Sequence, residues 1–413
     1  MAYASLANVP PVVGLYSSFF PTLLYAVFGT SKHIMYGMFA VPSLMVGSII
    51  DDLNPQDPNC TLYEKDLQQA EAIEICAAIT FCLGLIFMLM SLLRLHTLTD
   101  YLSDNLVAGF TTAASIHVLF SQLPKLFAIK VQRREGFFKL GLIAYDLLTE
   151  IRTTNLVDFS ISVICIGILM IGRYLVNPRV TKKLKFPIPF ELLIVIISTL
   201  ISKFFYFERN FDVSVVSTIP TGVPTPQVPD FSRVPSLLPR AIPIAIVIFG
   251  TTISVGKLFA KKHGYKVYPA QDLRAMGFIQ LIVSFFRCHP GSGSLSRSAV
   301  ASQLGGKSQF VSMTCASVVL VVVLWLGPLL YHLPICVLAS IIFVALQGMF
   351  AQFRSLGTLW KASKIDFTIW MVSFLATSLY DVSEGLLIAV GFSLFTEEYQ
   401  EQKSTKMSKN TVL

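Results

Sequence analysis

Charge is what this sequence has least of. Of its 413 residues only 14% are Asp, Glu, Lys or Arg, against 54% hydrophobic. Soluble domains carry nearer a quarter charged. Polar surface is too scarce to coat a water-soluble core, and a mean hydropathy of +0.66 agrees. The sequence therefore reads as an all-α polytopic membrane protein. The seven cysteines are an odd number, and no C-x-x-C or Cys/His spacing suggests a metal site. Cys76, Cys82, Cys165, Cys315 and Cys336 fall inside apolar runs, where free buried thiols are expected. Nothing points to a cofactor or to an enzyme. Met1-Ala2-Tyr3-Ala4 lacks the basic start and cleavage site of a signal peptide. The net charge of +8 belongs to basic cytoplasmic loops rather than to a nucleic-acid partner.

Long apolar runs are what the chain does have. They cover residues 11–28, 70–95, 101–123, 156–176, 187–207, 237–260, 270–287, 308–331, 333–352, 366–380 and 382–397. Two shorter, interrupted runs stand apart, 34–50 and 294–306, and the first eight residues read as the end of one more helix. That makes about fourteen elements, two of them too short to span as regular helices. The loop 51–68 is acidic and holds the sequon Asn59-Cys60-Thr61, a candidate glycosylation site placed outside. Counting from there, Arg173, Arg179, Lys182, Lys183 and Lys185 fall inside. So do Lys257, Lys261, Lys262 and Lys266, and then Arg354, Lys361 and Lys364, as the positive-inside rule requires. Lys125, Lys130, Arg133, Arg134 and Lys139 break the rule by falling outside, where an amphipathic surface helix is expected around 135–152. The Pro-rich stretch 220–239 reads as an extended linker.

The interrupted runs carry the chemistry. One reads Ser31-Lys32-His33-Ile34-Met35-Tyr36-Gly37-Met38-Phe39-Ala40-Val41-Pro42-Ser43. The other reads Cys288-His289-Pro290-Gly291-Ser292-Gly293-Ser294-Leu295-Ser296-Arg297-Ser298. Each predicts a short extended piece followed by a short helix ending near glycine, Gly47 in one and Gly305-Gly306 in the other. Ser292, Ser294 and Ser296 suit an extended run and a helix cap. Irregular backbone at membrane depth is tolerated only where it lines a protein cavity, and a buried charge there costs roughly 3 kcal/mol or more. Paired broken helices in matching halves point to a substrate site. Two helix N-termini meeting there favour an anion, and Arg297 adds a permanent positive charge. Ser296 offers a hydroxyl, and Phe39 and Tyr3 offer ring edges. No carboxylate lies in 294–306 or 237–256 to neutralise Arg297. A snorkelling role for Arg297 is disfavoured by the broken backbone and its counterpart. The histidines look scattered and structural. Glu191 reads as functional or as a helix cap, and Asp158 and Lys203 as interfacial.

At these residues the sequence resembles the sulfate permease (SulP) family of anion transporters, its animal solute-carrier branch in particular. Gly14-Leu15-Tyr16-Ser17-Ser18-Phe19-Phe20-Pro21, Phe28-Gly29-Thr30-Ser31-Lys32-His33-Ile34, Gly256-Lys257-Leu258-Phe259-Ala260 with Lys262-His263-Gly264-Tyr265, and Ser294-Leu295-Ser296-Arg297-Ser298 carry the resemblance. It implies seven plus seven inverted repeats, with two half-helices preceded by short strands, and core and gate domains in elevator-type alternating access. The repeats would be 1–210 and 237–397, joined by an extracellular linker 211–236 and followed by a short cytosolic tail 398–413. Against the family's layout, part of the first helix and the STAS domain would be absent, and Ser302 stands where an acidic residue is common. The implied anion site is lined by Tyr3, Phe39, Ala40, Leu295, Ser296 and Arg297. Expected partners are sulfate, chloride, bicarbonate or oxalate, the lipid bilayer of the plasma membrane, and a second copy in a homodimer. The alternative readings are a voltage-driven motor or anion channel of the same family, or a truncated product that does not transport.

Overall fold

The computed structural model describes residues 1–55, 62–97, 104–129, 131, 134, 136–184, 187–216 and 219–411. Asn59, Cys60, Lys130, Arg133 and Lys185 lie outside the described residues. The first segment holds α1 (Ala2–Leu6), α2 (Pro11–Phe28), β1 (Met35–Gly37), α3 (Ala40–Leu53) and α4 (Leu62–Leu92). After it come α5 (Asp104–Phe127), the surface helix α6 (Lys139–Thr149) and α7 (Leu156–Ile171), which a π-helical turn extends to Val176. Then follow α8 (Asn177–Leu184), α9 (Phe190–Phe205) and α10 (Phe207–Phe211). The second half comprises α11 (Val234–His263), α12 (Pro269–Ser284), β2 (Ser292–Ser294), α13 (Leu295–Gln303) and α14 (Phe310–Val321). It closes with α15 (Ile335–Phe350), α16 (Leu356–Ala362), α17 (Lys364–Leu379) and α18 (Val382–Thr411).

Among the described residues seven helices are long and apolar enough to cross a membrane, and the chain is an integral, multi-pass membrane protein. Other helices in the bundle are shorter, α9, α12 and α17 having 16 residues each. Ile164 and Ile168 of α7 and Leu192 and Ile196 of α9 point outward and are exposed, a face that suits lipid and not water.

The helices pack as two groups. In one, α2, α4, α11, α12 and α14 surround the strand pair; in the other, α5, α7, α15, α17 and α18 pack on one another. Glycine sets the closest crossings. A Cβ on Gly84 of α4 would lie 2.8 Å from the Leu281 backbone of α12. One on Gly109 of α5 would collide with the Trp370 carbonyl of α17. Side chains larger than hydrogen would force these backbones apart.

Several expectations need correcting. Gly47 does not end α3, which runs on to Leu53; a Cβ there would lie 2.6 Å from the Leu6 carbonyl, so this glycine admits α1 instead. Residues 234–239, read as linker, already form the first turns of α11. Cys315 is exposed on α14, whereas Cys76, Cys82, Cys165, Cys288 and Cys336 are buried. Asp158, expected at the interface, is only 2% exposed in the first turn of α7.

Three cations of the basic segment that breaks the positive-inside pattern have partners within the fold. Lys125 Nζ donates to the Ser5 carbonyl at 2.7 Å and to Ser5 Oγ at 3.0 Å. Arg134 makes a two-pronged ion pair with Asp146 at 2.7 and 2.8 Å, and Lys139 pairs with Asp381 at 2.9 Å. The Arg134 bonds hold the Asp146 carboxyl below the usual carboxylate range. Carboxylates within the fold thus neutralise Arg134 and Lys139, while Lys125 is bonded to neutral oxygens and keeps its charge.

Candidate anion site

Two three-residue strands meet where the interrupted runs predict extended chain. β1 and β2 pair antiparallel, Met35 opposite Ser294, Tyr36 opposite Gly293 and Gly37 opposite Ser292. Each strand leads into a helix, so α3 and α13 leave the ribbon in opposite directions with both N-termini turned toward it. The residues before them, Phe39 and Ser294, are extended, and neither gives its helix a side-chain cap. Ser294 therefore does not cap α13 as its residue type suggests; its Oγ sits 3.4 Å from Ser296 Oγ. First-turn N–H groups of a helix have no intrahelical partner, and they carry about half a positive charge. Pro42 removes one donor from the first turn of α3, a position that tolerates proline.

Arg297, in the first turn of α13, reaches across the ribbon. Its Nη2 donates to the Met38 carbonyl at 2.7 Å, and its Nε is buried without a hydrogen-bond partner. Among the described residues no carboxylate forms an ion pair with it. Gly37 makes the berth: a Cβ there would lie 3.0 and 3.2 Å from Nη1 and Nη2. Tyr3 of α1 is close enough to interact electrostatically with Arg297. Phe39 and Ala40 are buried beside the Met38 carbonyl, at 6% and 1% exposure. Leu295 and Ser296 sit on the open flank, Leu295 at 41% exposure. The structure thus gathers Tyr3, Phe39, Ala40 and Arg297 about one point, with Leu295 and Ser296 at its rim.

The surrounding polar residues were not legible as part of this site. Backbone that leaves regular structure in an apolar medium must find partners, and side chains of the neighbouring helices supply them. Ser298 Oγ accepts from the Met35 N–H at 2.9 Å. Thr22 donates to the Tyr36 carbonyl at 2.5 Å, and the Gly293 N–H donates to Thr252 Oγ1 at 2.9 Å. Gln280 grips Gly291 on both sides, donating to its carbonyl at 2.8 Å and accepting from its N–H at 3.2 Å. The Tyr25 ring stacks on Tyr36 with centroids 4.9 Å apart. Gln309 donates to the Ser31 and Ile34 carbonyls, and the Thr30 N–H donates to Asp272 at 2.7 Å. Their one sequence signal is polarity inside apolar runs, which does not say what each bonds. Two histidines are not scattered: His33 and His263 stack with ring centroids 4.0 Å apart. Glu191 is exposed at the start of α9 and Lys203 exposed near its end, away from these contacts.

A fixed guanidinium and two helix ends without side-chain caps, with no carboxylate paired to the guanidinium among the described residues, are the donors an anion requires. The model of the sulfate permease family matches residues 1–373. Prestin of Danio rerio is 42% identical over 420 residues, covering 100% of this chain and 56% of its own length. Human solute carrier family 26 member 6 is 38% identical over 394 residues, 95% of this chain and 52% of its own. The structure of the murine Solute Carrier 26 family member A9 anion transporter in the inward-facing state superposes with a TM-score of 0.89 at 32% identity. It covers 97% of this chain and 66% of that one. The chain spans about half the length of the curated relatives it matches.

Proposed function

The chain belongs to the sulfate permease family, and from that premise we propose that it binds a small anion between the N-termini of α3 and α13 and carries it across a membrane. The observation that carries this reading is the Arg297 guanidinium, tied to Met38 and free of any paired carboxylate among the described residues. Its charge and the uncapped first turns act on the same small volume, where low dielectric strengthens each of them. The substrate class is small inorganic and organic anions such as sulfate, chloride, bicarbonate and oxalate.

The transport cycle we propose is an elevator. A broken strand-helix unit is the third spanning element in each half, which supports two inverted repeats, 1–210 and 237–397, joined by 211–236. The group holding β1, β2, α3 and α13 would be the core that moves against a gate built from α5, α7, α15, α17 and α18. The acidic loop end faces outward and the plasma membrane is its place.

Flux of radiolabelled sulfate and chloride into proteoliposomes tests the reading. Arg297→Gln should reduce uptake of both by at least about tenfold, the worth of one charged hydrogen-bond donor in a buried site. Uptake unchanged by that substitution discards the site.

A further inference from the structure

At the end of the bundle that carries the acidic loop lies a cavity of about 240 Å³, apart from the Arg297 berth. Its wall is built from α1 and the residues after it, α3, α5, α6 and the start of α18, and includes Asn8, Ser121, Lys125, Lys139, Asp51 and Asp381. Much of its charge is cancelled locally, since Lys139 pairs with Asp381 at 2.9 Å and Arg134, also in the wall, pairs with Asp146 at 2.7 Å. Lys125 is different. Its ammonium bonds two oxygens of Ser5, both neutral, and among the described residues it enters no ion pair, Asp51 acting on it only at longer range. An ammonium carries three N–H donors, so one remains for whatever occupies the cavity. A partly buried cation with no carboxylate bonded to it is costly, and an anion in the cavity lowers that cost. At roughly 30 Å³ per water, the space holds a small anion with part of its hydration shell.

We propose that this cavity is an outer subsite for a small inorganic anion, with Lys125 as its charged ligand, through which anions pass on the way to Arg297. The proposal rests on the transport reading above. The subsite concentrates anions at the outer mouth and is not engaged from the other face. Because Lys125 also caps α1, the helix that carries Tyr3, its occupancy is felt at the inner site.

The experiment measures the chloride half-saturation concentration from each side of the membrane in cells expressing the whole protein. Lys125→Gln should raise the external value by about 3- to 10-fold, leave the internal value in place, and weaken the dependence of influx on ionic strength; Lys125→Arg should restore all three. Asn8→Asp, which adds a negative charge without touching the Ser5 contacts, should raise the external value too. Equal changes on both sides, or none for either variant, overturn the proposal and leave Lys125 as a cap of α1. Chloride-dependent thermal stabilisation of the purified protein separates the two readings. It should persist in Arg297→Gln and vanish when Lys125→Gln is added. If stabilisation is already absent in Arg297→Gln, the outer subsite is refuted; absence of flux from the wild-type chain refutes the transport reading alone.

Discussion

The Arg297 guanidinium donates to the Met38 carbonyl across 259 positions of sequence, at 2.7 Å. That one bond crosses the β1–β2 ribbon and fixes the cation of the second half against the broken backbone of the first. Because its partner is neutral, the bond orients the guanidinium without cancelling its charge.

The berth for that guanidinium depends on the missing side chain at Gly37. A Cβ there would meet Nη1 at 3.0 Å, so Gly37→Ala should push the arginine off the Met38 carbonyl. We expect the anion half-saturation concentration to rise roughly tenfold, as for loss of one charged hydrogen bond, with surface expression retained. An unchanged half-saturation would mean that the guanidinium has room to spare.

Gln280 holds the turn into β2 by gripping Gly291 from both sides. Gln280→Leu keeps the volume but strands a buried N–H and a buried carbonyl, each costing about 1–3 kcal/mol. The melting temperature should fall and anion affinity with it. A variant that melts like the wild type would show that water or a rearranged neighbour takes over both bonds.

Gly47 tests the packing of α1. A Cβ would lie 2.6 Å from the Leu6 carbonyl and 3.1 Å from Ala7 Cα, both backbone atoms with little freedom to yield. Gly47→Ala should destabilise the protein by about 1–3 kcal/mol through overpacking, read from thermal unfolding in detergent. Since α1 carries Tyr3, transport should suffer beyond the loss of stability. Normal flux at normal stability would refute the tight fit.

His33 gives a pH dependence. Burial lowers its pKa most, the neighbouring His263, Lys262 and Lys32 add to that, and the Gly306 carbonyl opposes it. A histidine with a depressed folded-state pKa binds its proton less readily folded than unfolded. Its contribution to stability is therefore full above the unfolded value of about 6.5 and lost as pH falls through the lower folded value. Melting curves from about pH 7.5 down to about pH 5 should show a decline that His33→Gln removes. A parallel decline in both proteins would assign the effect to another group.

Much of the fold was legible because membrane spans announce themselves by length and apolarity. The run 11–28 is α2 to the residue, and the interrupted runs became the strand-helix pairs, because Gly37 and the Pro290-Gly291 break cannot continue a helix. The sense of a glycine was less legible. Gly47 looked like a helix end and is a contact surface, since glycine's small size and its conformational freedom leave the same letter in the sequence. The basic run at 125–139 looked like a topology error until Ser5, Asp146 and Asp381 were found against it. Ser5 and Asp381 lie 120 and 242 positions from the lysines they meet, and no local pattern marks them. The histidine stack of His33 on His263 was illegible for the same reason.

What the sequence determined alone was the class of solvent, the two places where helices break, and the charge that the candidate site carries. Composition and hydropathy are sums over local choices, and a lone Arg297 keeps its charge in any fold. What only tertiary structure decided was the placing of that charge. The antiparallel register of β1 on β2, the Met38 carbonyl under the guanidinium and the Ser5 oxygens on Lys125 are pairings between distant segments. Their energies depend on distances that the linear order of residues does not contain.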